Sequence, residues 1–313
     1  MVLKNIIKEI FSNLDKIHYK SNEYKNLQSR LSKDLKKSNF ASKKGKKVKI
    51  FKLNSIIFPY YSMGSIDTLD LLGLDELVIF CYYYSSSLKY KNVADLGANV
   101  GLHSLIMSKY FKKVDSYEPD LIHYKKLKSN LKLNNIKNVK TYKKAVSNID
   151  GYKNFVRILG NTTSSHIKGS KLKVYGKKKE FKVSCIKFSS IINKYDLIKM
   201  DVEGEEIKLI LDTKKEDWKK TDVIMEVSSK QNAVKIFKYL NKLKIPMYSQ
   251  KNKWKKVKFL KDIPCSYKEG SLFISSKNNP SRPRPLSHRK STRDIPLHPR
   301  AMWARKAKSS QAS

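Results

Sequence analysis

Asn92-Val-Ala-Asp95-Leu-Gly97-Ala-Asn99-Val-Gly101-Leu-His103-Ser104 decides the fold. It opens as a short apolar strand, turns sharply at a glycine and runs into residues 102–111, whose apolar residues recur at helical spacing. A strand, a glycine turn and a helix form the opening unit of a nucleotide-binding α/β sheet. Gly97 lets the backbone turn with positive φ, and Gly101 lets the start of the helix lie close to the sheet or a ligand. The helix N-terminus offers free N–H groups and a positive dipole end to an anion.

The spacing separates two kinds of nucleotide. A dinucleotide fingerprint requires G-x-G-x-x-G, but Leu102 stands at its third glycine and Asn99 at its second. The remaining pattern, Asp-x-Gly-x-Asn-x-Gly, resembles the first motif of the S-adenosylmethionine (SAM)-dependent methyltransferases. Asn99 departs from the glycine usual there, though Asn tolerates the left-handed region better than other non-glycine residues. Residues 114–117 read as the next strand, with Glu118 at its carboxyl end and Pro119 starting a helix. Glu118 lies 23 residues beyond Asp95, close to the roughly 20-residue step at which a carboxylate meets the ribose hydroxyls of a bound nucleoside.

A third stretch narrows the family. Asp196-Leu-Ile-Lys199-Met-Asp201-Val-Glu203-Gly204-Glu205-Glu206 resembles the signature of the FkbM-type methyltransferases. The likeness extends in order to Asp95–Gly101, Glu118-Pro119, Asn130-Leu-Lys-Leu-Asn134, Ala145-Val-Ser147 and Glu226-Val227, over about residues 70–276. It implies a Rossmann-like class I methyltransferase: an α/β fold with a mostly parallel, doubly wound sheet and an antiparallel edge. It also implies S-adenosyl-L-methionine as cofactor, held by Asp95, Gly97, Asn99, Gly101, Glu118 and, at the adenine edge, Ala145. The implied activity is O-methyl transfer to a hydroxyl of a sugar, glycan or small natural product.

Strand geometry adds a catalytic expectation. Residues i, i+2 and i+4 share one face, which sets Lys199, Asp201 and Glu203 together and turns Ile198, Met200 and Val202 away. A lysine inside a buried strand needs a partner, and Asp201 is the nearest. Asp201 and Glu203 are the candidate base and hydroxyl orienter, with Lys199 fixing their geometry. The competing reading is a structural ion pair plus a Glu at a helix N-terminus. His166, in a polar loop over residues 160–166, is a further candidate base, though a solvated loop residue is the favoured reading, whereas His103 reads as structural. No metal site is expected.

Composition bounds the rest. The 313 residues suffice for one sizeable core. The net charge of +40 comes from 59 Lys and 8 Arg and argues only weakly for nucleic acid. No specific nucleic-acid partner is expected, since neither an Asn/Asp-Pro-Pro-aromatic motif nor a recognisable RNA module is present. An RNA-directed methyltransferase and a non-catalytic SAM-binding scaffold are the alternatives. Three scattered cysteines without metal spacing fit a cytoplasmic protein. No signal peptide is read, and the apolar run at 71–88 carries Asp75 and Glu76, so it reads as a buried helix.

Three regions are expected. Residues 1–50 hold an amphipathic helix (Leu3, Ile6, Ile7, Ile10, Leu14 and Ile17 on one face) and, from residue 29 to 49, a solvated polybasic linker. Packing on the domain is favoured for that helix over contact with a membrane surface. Residues 51–277 form the methyltransferase domain. Its helices are expected at 74–88, 119–134, 204–211 and 231–243. Its strands are expected at 48–59, 92–96, 114–117, 139–145, 151–158, 173–175, 181–185, 196–201, 222–227, 257–260 and 271–275. Residues 278–313 hold six of the eight arginines and five of the nine prolines with no apolar period, which predicts a disordered basic tail. Such a tail either binds an anionic partner or was read in a shifted frame; the abrupt change in composition favours the second.

Overall fold

The computed structural model describes residues 2–13, 17, 21–38, 46–50, 54–170 and 176–275. Leu14, Lys43, Lys44, the strand expected at 173–175 and the tail at 278–313 lie outside the described residues.

Helix α1 (Val2–Ser12) buries Ile6, Ile7 and Ile10, and α2 (Asn22–Ser38) buries Leu27, Leu31 and Leu35. The second half of α2 occupies part of what composition predicted as a solvated linker. Leucines four residues apart make an apolar stripe that the surrounding lysines mask in a charge count. Both helices pack into the same core as α3 (Leu74–Ser86). Between them β1 (Lys46–Ile50) and β2 (Asn54–Phe58) form an antiparallel pair, so the basic run up to Lys49 ends in a strand. Helix α3 buries residues on every side, as expected of an apolar helix inside a core.

The nucleotide-type unit follows: β3 (Asn92–Leu96), α4 (Leu102–Ser108), β4 (Lys113–Tyr117), α5 (Leu121–Leu133) and β5 (Val139–Tyr142). Next come β6 (Ala145–Ser147), β7 (Gly151–Ile158), β8 (His166–Ile167) and β9 (Lys178–Lys187). The chain then completes the core with β10 (Leu197–Met200), α6 (Glu206–Leu211), β11 (Asp222–Met225), α7 (Lys230–Lys242), β12 (Met247–Ser249), β13 (Lys255–Lys256) and β14 (Leu272–Ile274). The large sheet runs β13-β12-β14-β11-β10-β3-β4-β5. It is parallel from β11 to β5 and antiparallel from β14 outward. Val93, Val114, Leu197 and Ile224 face one apolar cluster, whereas Ala94, Ile198, Met200 and Val223 face the other. Helices cover both faces, which is why these strands place apolar residues on each.

Three local expectations change. The strand predicted over 139–145 divides after Tyr142: β5 stays in the large sheet, and β6 joins a second sheet of order β6-β9-β7-β8. The helix predicted from Pro119 starts at Leu121, because Asp120 caps it by accepting from the Ile122 and His123 N–H groups at 2.8 and 3.4 Å. The strand predicted at 257–260 is absent. Asp262 accepts from the N–H groups of Lys258 and Phe259 and turns that segment into a short 3₁₀ helix (Leu260–Asp262), leaving β12 and β13 as the sheet edge. Among the described residues no helix is long and apolar enough to cross a membrane.

Candidate active site

Strand β3 has β4 on one side and β10 on the other, so the chain reverses its direction of winding between β3 and β10. Open α/β sheets bind ligands outside the carboxyl ends of the strands at such a point. A cleft lies there, lined by Gly97, Asn99, Tyr117, Glu118 and Ala145, by Asp201, Val202, Glu203 and Glu226, and by Lys144, Thr162, Thr163 and Ser165.

The glycine turn joins the two halves of the cleft. Gly97 and Ala98 both donate to the Tyr117 carbonyl, at 3.0 and 2.9 Å, folding the loop over β4. Gly97 has φ +79°, and a Cβ there would stand 1.8 Å from the Asp201 carbonyl oxygen. Asn99 adopts φ 50°, the left-handed position for which a glycine would otherwise be chosen. Its Oδ1 is a buried acceptor without a partner among the described residues.

Two residues expected to touch the cofactor sit beneath the cleft. Asp95 is fully buried and accepts from the Ser104 hydroxyl at 2.6 Å, so it pins the first turn of α4. Gly101, at φ +90°, is required for packing, since a Cβ would come within 2.4 Å of Leu127 Cδ1 on α5. Both are needed for the loop, but neither lines the cleft.

Glu118 does line it. Its Oε2 accepts from the Asn99 N–H and its Oε1 from the Asp120 N–H, both at 2.8 Å. Burial pushes its carboxyl up to about 8; the two N–H groups oppose this, and Asp120 and Asp95 add to it. These bonds leave lone pairs on each oxygen for a ligand's hydroxyls.

On the other wall Lys199 is 7% exposed and its Nζ lies 3.0 Å from Asp201 Oδ2. Burial works against the ammonium, but Asp201, Asp95 and Glu76 outweigh it and hold the pKa above the ordinary lysine value. Glu76 in turn meets His103 Nε2 at 2.7 Å, and His103 Nδ1 meets the Tyr83 hydroxyl at 3.0 Å, giving that histidine a structural place. Strand alternation stops at Met200, three residues short of Glu203, which the i, i+2, i+4 reading places in the strand. Asp201, Val202 and Glu203 are loop, with Glu203 at φ 55°, so Val202 faces the cleft together with the two acids.

The other two acids of the motif have different partners. Glu206 accepts from the N–H groups of Val202 and Gly204, at 2.9 and 2.8 Å, and closes the loop. Glu205 is fully buried and accepts from Ser147, Lys153, Ser170 and Lys208, tying the small sheet to α6. His166 lies in β8 at 2% exposure with Nδ1 2.8 Å from the Ser164 carbonyl oxygen, so it is not the solvated loop residue expected.

The small sheet is anchored beside Glu118 by a buried bidentate pair. Arg157 Nε and Nη2 each donate to Asp120 at 2.5 Å. Its tip also holds the segment before α3: Ser65 donates to the Gly160 carbonyl at 2.6 Å and Thr162 to that of Met63 at 2.9 Å. This brings Thr162, Thr163 and Ser165 onto the cleft.

Sequence reasoning gave these hydroxyls no role beyond the polar loop, and it gave none to Glu226. A signal for Glu226 existed. It follows the apolar Val223-Ile-Met225 of β11 at the carboxyl edge, as Glu118 follows β4 and Asp201 follows β10.

Residues 95–247 match the model of the methyltransferase FkbM domain. No curated protein matches the chain. Similar solved structures include the METTL16 MTase domain, at 13% identity over 80% of this chain and 80% of that one (TM-score 0.42). A ribosomal protein L11 methylase from Lactobacillus delbrueckii subsp. bulgaricus is 14% identical over 64% of this chain and 76% of that one (TM-score 0.35). An rRNA methylase from Streptococcus thermophilus is 7% identical over 65% and 95% (TM-score 0.35). Likenesses this distant say nothing of the acceptor.

Proposed function

From its place in the FkbM methyltransferase family, which makes this chain a SAM-dependent methyltransferase, we propose that the methyl group goes to a hydroxyl of a sugar or glycan. Bound SAM supplies a methyl group already activated on a sulfonium. The cleft suits a cation: Glu118, Asp201, Glu203 and Glu226 line it against Lys144, with Lys199 behind Asp201. The unpartnered Asn99 Oδ1 adds an acceptor for a donor of the cofactor.

In this reading Glu118 accepts the ribose hydroxyls, the Gly97–Asn99 turn borders the cofactor, and the backbone at Ala145 meets the adenine edge. Asp201 and Glu203 orient the acceptor oxygen, and Lys199 fixes Asp201. Alignment is the main task, because an activated methyl group needs an oxygen in line and a place for its proton. The observation that carries the hydroxyl reading is the composition of the acceptor end. Carboxylates there are apt to receive a hydroxyl's proton, and Thr162, Thr163 and Ser165 add neutral polar groups to the wall, each already bonded within the protein but with hydrogen-bonding capacity left for a polyol. The same carboxylates repel phosphate, so the surface charge gives only salt-sensitive, non-specific nucleic-acid contact. Three free cysteines, Cys81, Cys185 and Cys265, support a cytoplasmic setting.

The cofactor assignment predicts that Glu118→Ala weakens SAM binding by about 1–3 kcal/mol, the scale of a lost hydrogen bond to a charged group. Affinity for the wild type should also fall as pH drops below about 8, because the raised carboxyl must ionise to accept fully from two hydroxyls. Calorimetry across this range checks both; an unchanged affinity in Glu118→Ala would place the ribose elsewhere. For the acceptor, labelled-methyl transfer into fractionated host extract should mark the glycan fraction. Label confined to RNA would replace the glycan acceptor with a nucleic-acid one.

A further inference from the structure

Glu226 and Asp201 leave the large sheet side by side. Met225 pairs with Met200 across the parallel ladder, so the next residue of each strand emerges at the carboxyl edge, and both line the cleft. The carboxylates around them are already engaged. Asp201 is held by Lys199 at 3.0 Å, Glu118 by two N–H groups and Glu206 by two more. Among the described residues no hydrogen-bond donor reaches Glu226, although its side chain is largely enclosed.

We propose that Glu226 takes the proton of the acceptor hydroxyl. The inference rests on the hydroxyl reading above. The acceptor oxygen gains the methyl carbon, the carbon–sulfur bond returns its electron pair to sulfur, and the O–H proton passes to the Glu226 carboxylate. One positive and one negative charge vanish together, which a water-poor cleft favours. Asp201 is the weaker candidate because its carboxylate is matched by Lys199, and it serves as the positioning residue.

The surroundings of Glu226 suit the task. Burial raises its pKa well above the ordinary value; Asp201 of the adjoining loop, Glu76 of α3 and Glu203 raise it further, and Lys199 of β10 opposes them. A carboxylate of raised basicity is a better proton acceptor near neutral pH. A cation in the cleft favours the ionised form, so binding a sulfonium should draw more proton from this carboxyl than binding a neutral thioether does.

The test compares SAM with S-adenosylhomocysteine, its uncharged thioether counterpart, binding to the full chain. Calorimetry near pH 7 in two buffers of different ionisation heat counts the protons released. Wild type should release more with SAM than with the thioether, and Glu226→Gln should lose that excess while keeping its thioether affinity within about threefold. Glu118 faces both ligands alike and cancels. An excess unchanged in Glu226→Gln would overturn the proposal. In transfer, with the label-accepting extract fraction as probe, Glu226→Gln should lower kcat about a hundredfold or more with KM little changed, and Glu226→Asp should recover part of it. Full turnover by Glu226→Gln would equally overturn the proposal. Label found on nitrogen or carbon of the product, with the proton result intact, would instead remove the hydroxyl reading beneath it.

Discussion

Arg157→Ala is expected to destabilise the protein by about 3–5 kcal/mol, the scale for breaking a buried ion pair from one side. Asp120 is fully buried, and both its oxygens accept from the guanidinium at 2.5 Å. Without Arg157 the carboxylate keeps only its bonds to the first turn of α5. The damage should be local as well as global, because this pair anchors the small sheet next to Glu118. The pH dependence has a definite sign. Burial raises the Asp120 pKa, but Arg157 and the other partners outweigh it and leave the group below its ordinary 3.8. The stability from this pair is therefore present above about pH 3.8 and is lost as pH falls through the lower folded value. Denaturant unfolding of the two proteins should differ most near neutrality and converge in acid. A difference below about 1 kcal/mol at pH 7 would mean that the small sheet is held by other contacts.

The second large effect concerns transfer. Asp201→Asn and Glu203→Gln keep shape and remove charge, and each is expected to reduce methyl transfer by about a hundredfold, the scale of a misplaced reactant, while leaving affinity for the uncharged S-adenosylhomocysteine nearly intact. Asp201→Asn removes the charge that holds Lys199, so the amide and the buried ammonium no longer fix one geometry at the acceptor end. Glu203 occupies a left-handed backbone position on the cleft wall, an uncommon conformation for a non-glycine residue. Binding calorimetry alongside turnover separates the alternatives. Wild-type turnover with both variants folded would return the two acids to a structural role.

Much of this was legible because the decisive features are local. The glycine turn after β3, the acid after β4 and the lysine–aspartate pair of β10 each follow from strand polarity and residue chemistry. What the sequence hid depends on contacts distant in the chain. The need for glycine at position 97 comes from the Asp201 carbonyl, a hundred residues away. The need at 101 comes from Leu127, a packing contact that spacing alone cannot distinguish from close approach to a ligand. Of the acids at 201, 203, 205 and 206, Asp201 and Glu203 line the cleft, whereas Glu205 ties α6 to the small sheet and Glu206 closes the loop, a division set by a loop conformation outside any strand or helix period. Helix α2 was hidden for a compositional reason: its three leucines are diluted by lysines that face outward or lie near its end.

The proposed destination of the methyl group is a hydroxyl oxygen. It is tested most directly by carrying out the transfer with ¹³C-methyl-labelled SAM, isolating the labelled product and reading the methyl carbon by NMR. The account predicts a methoxyl carbon coupled to the protons of a carbinol position, retained after mild alkaline treatment. A methyl carbon bonded to nitrogen, or one released by mild base as from a carboxyl ester, would contradict it.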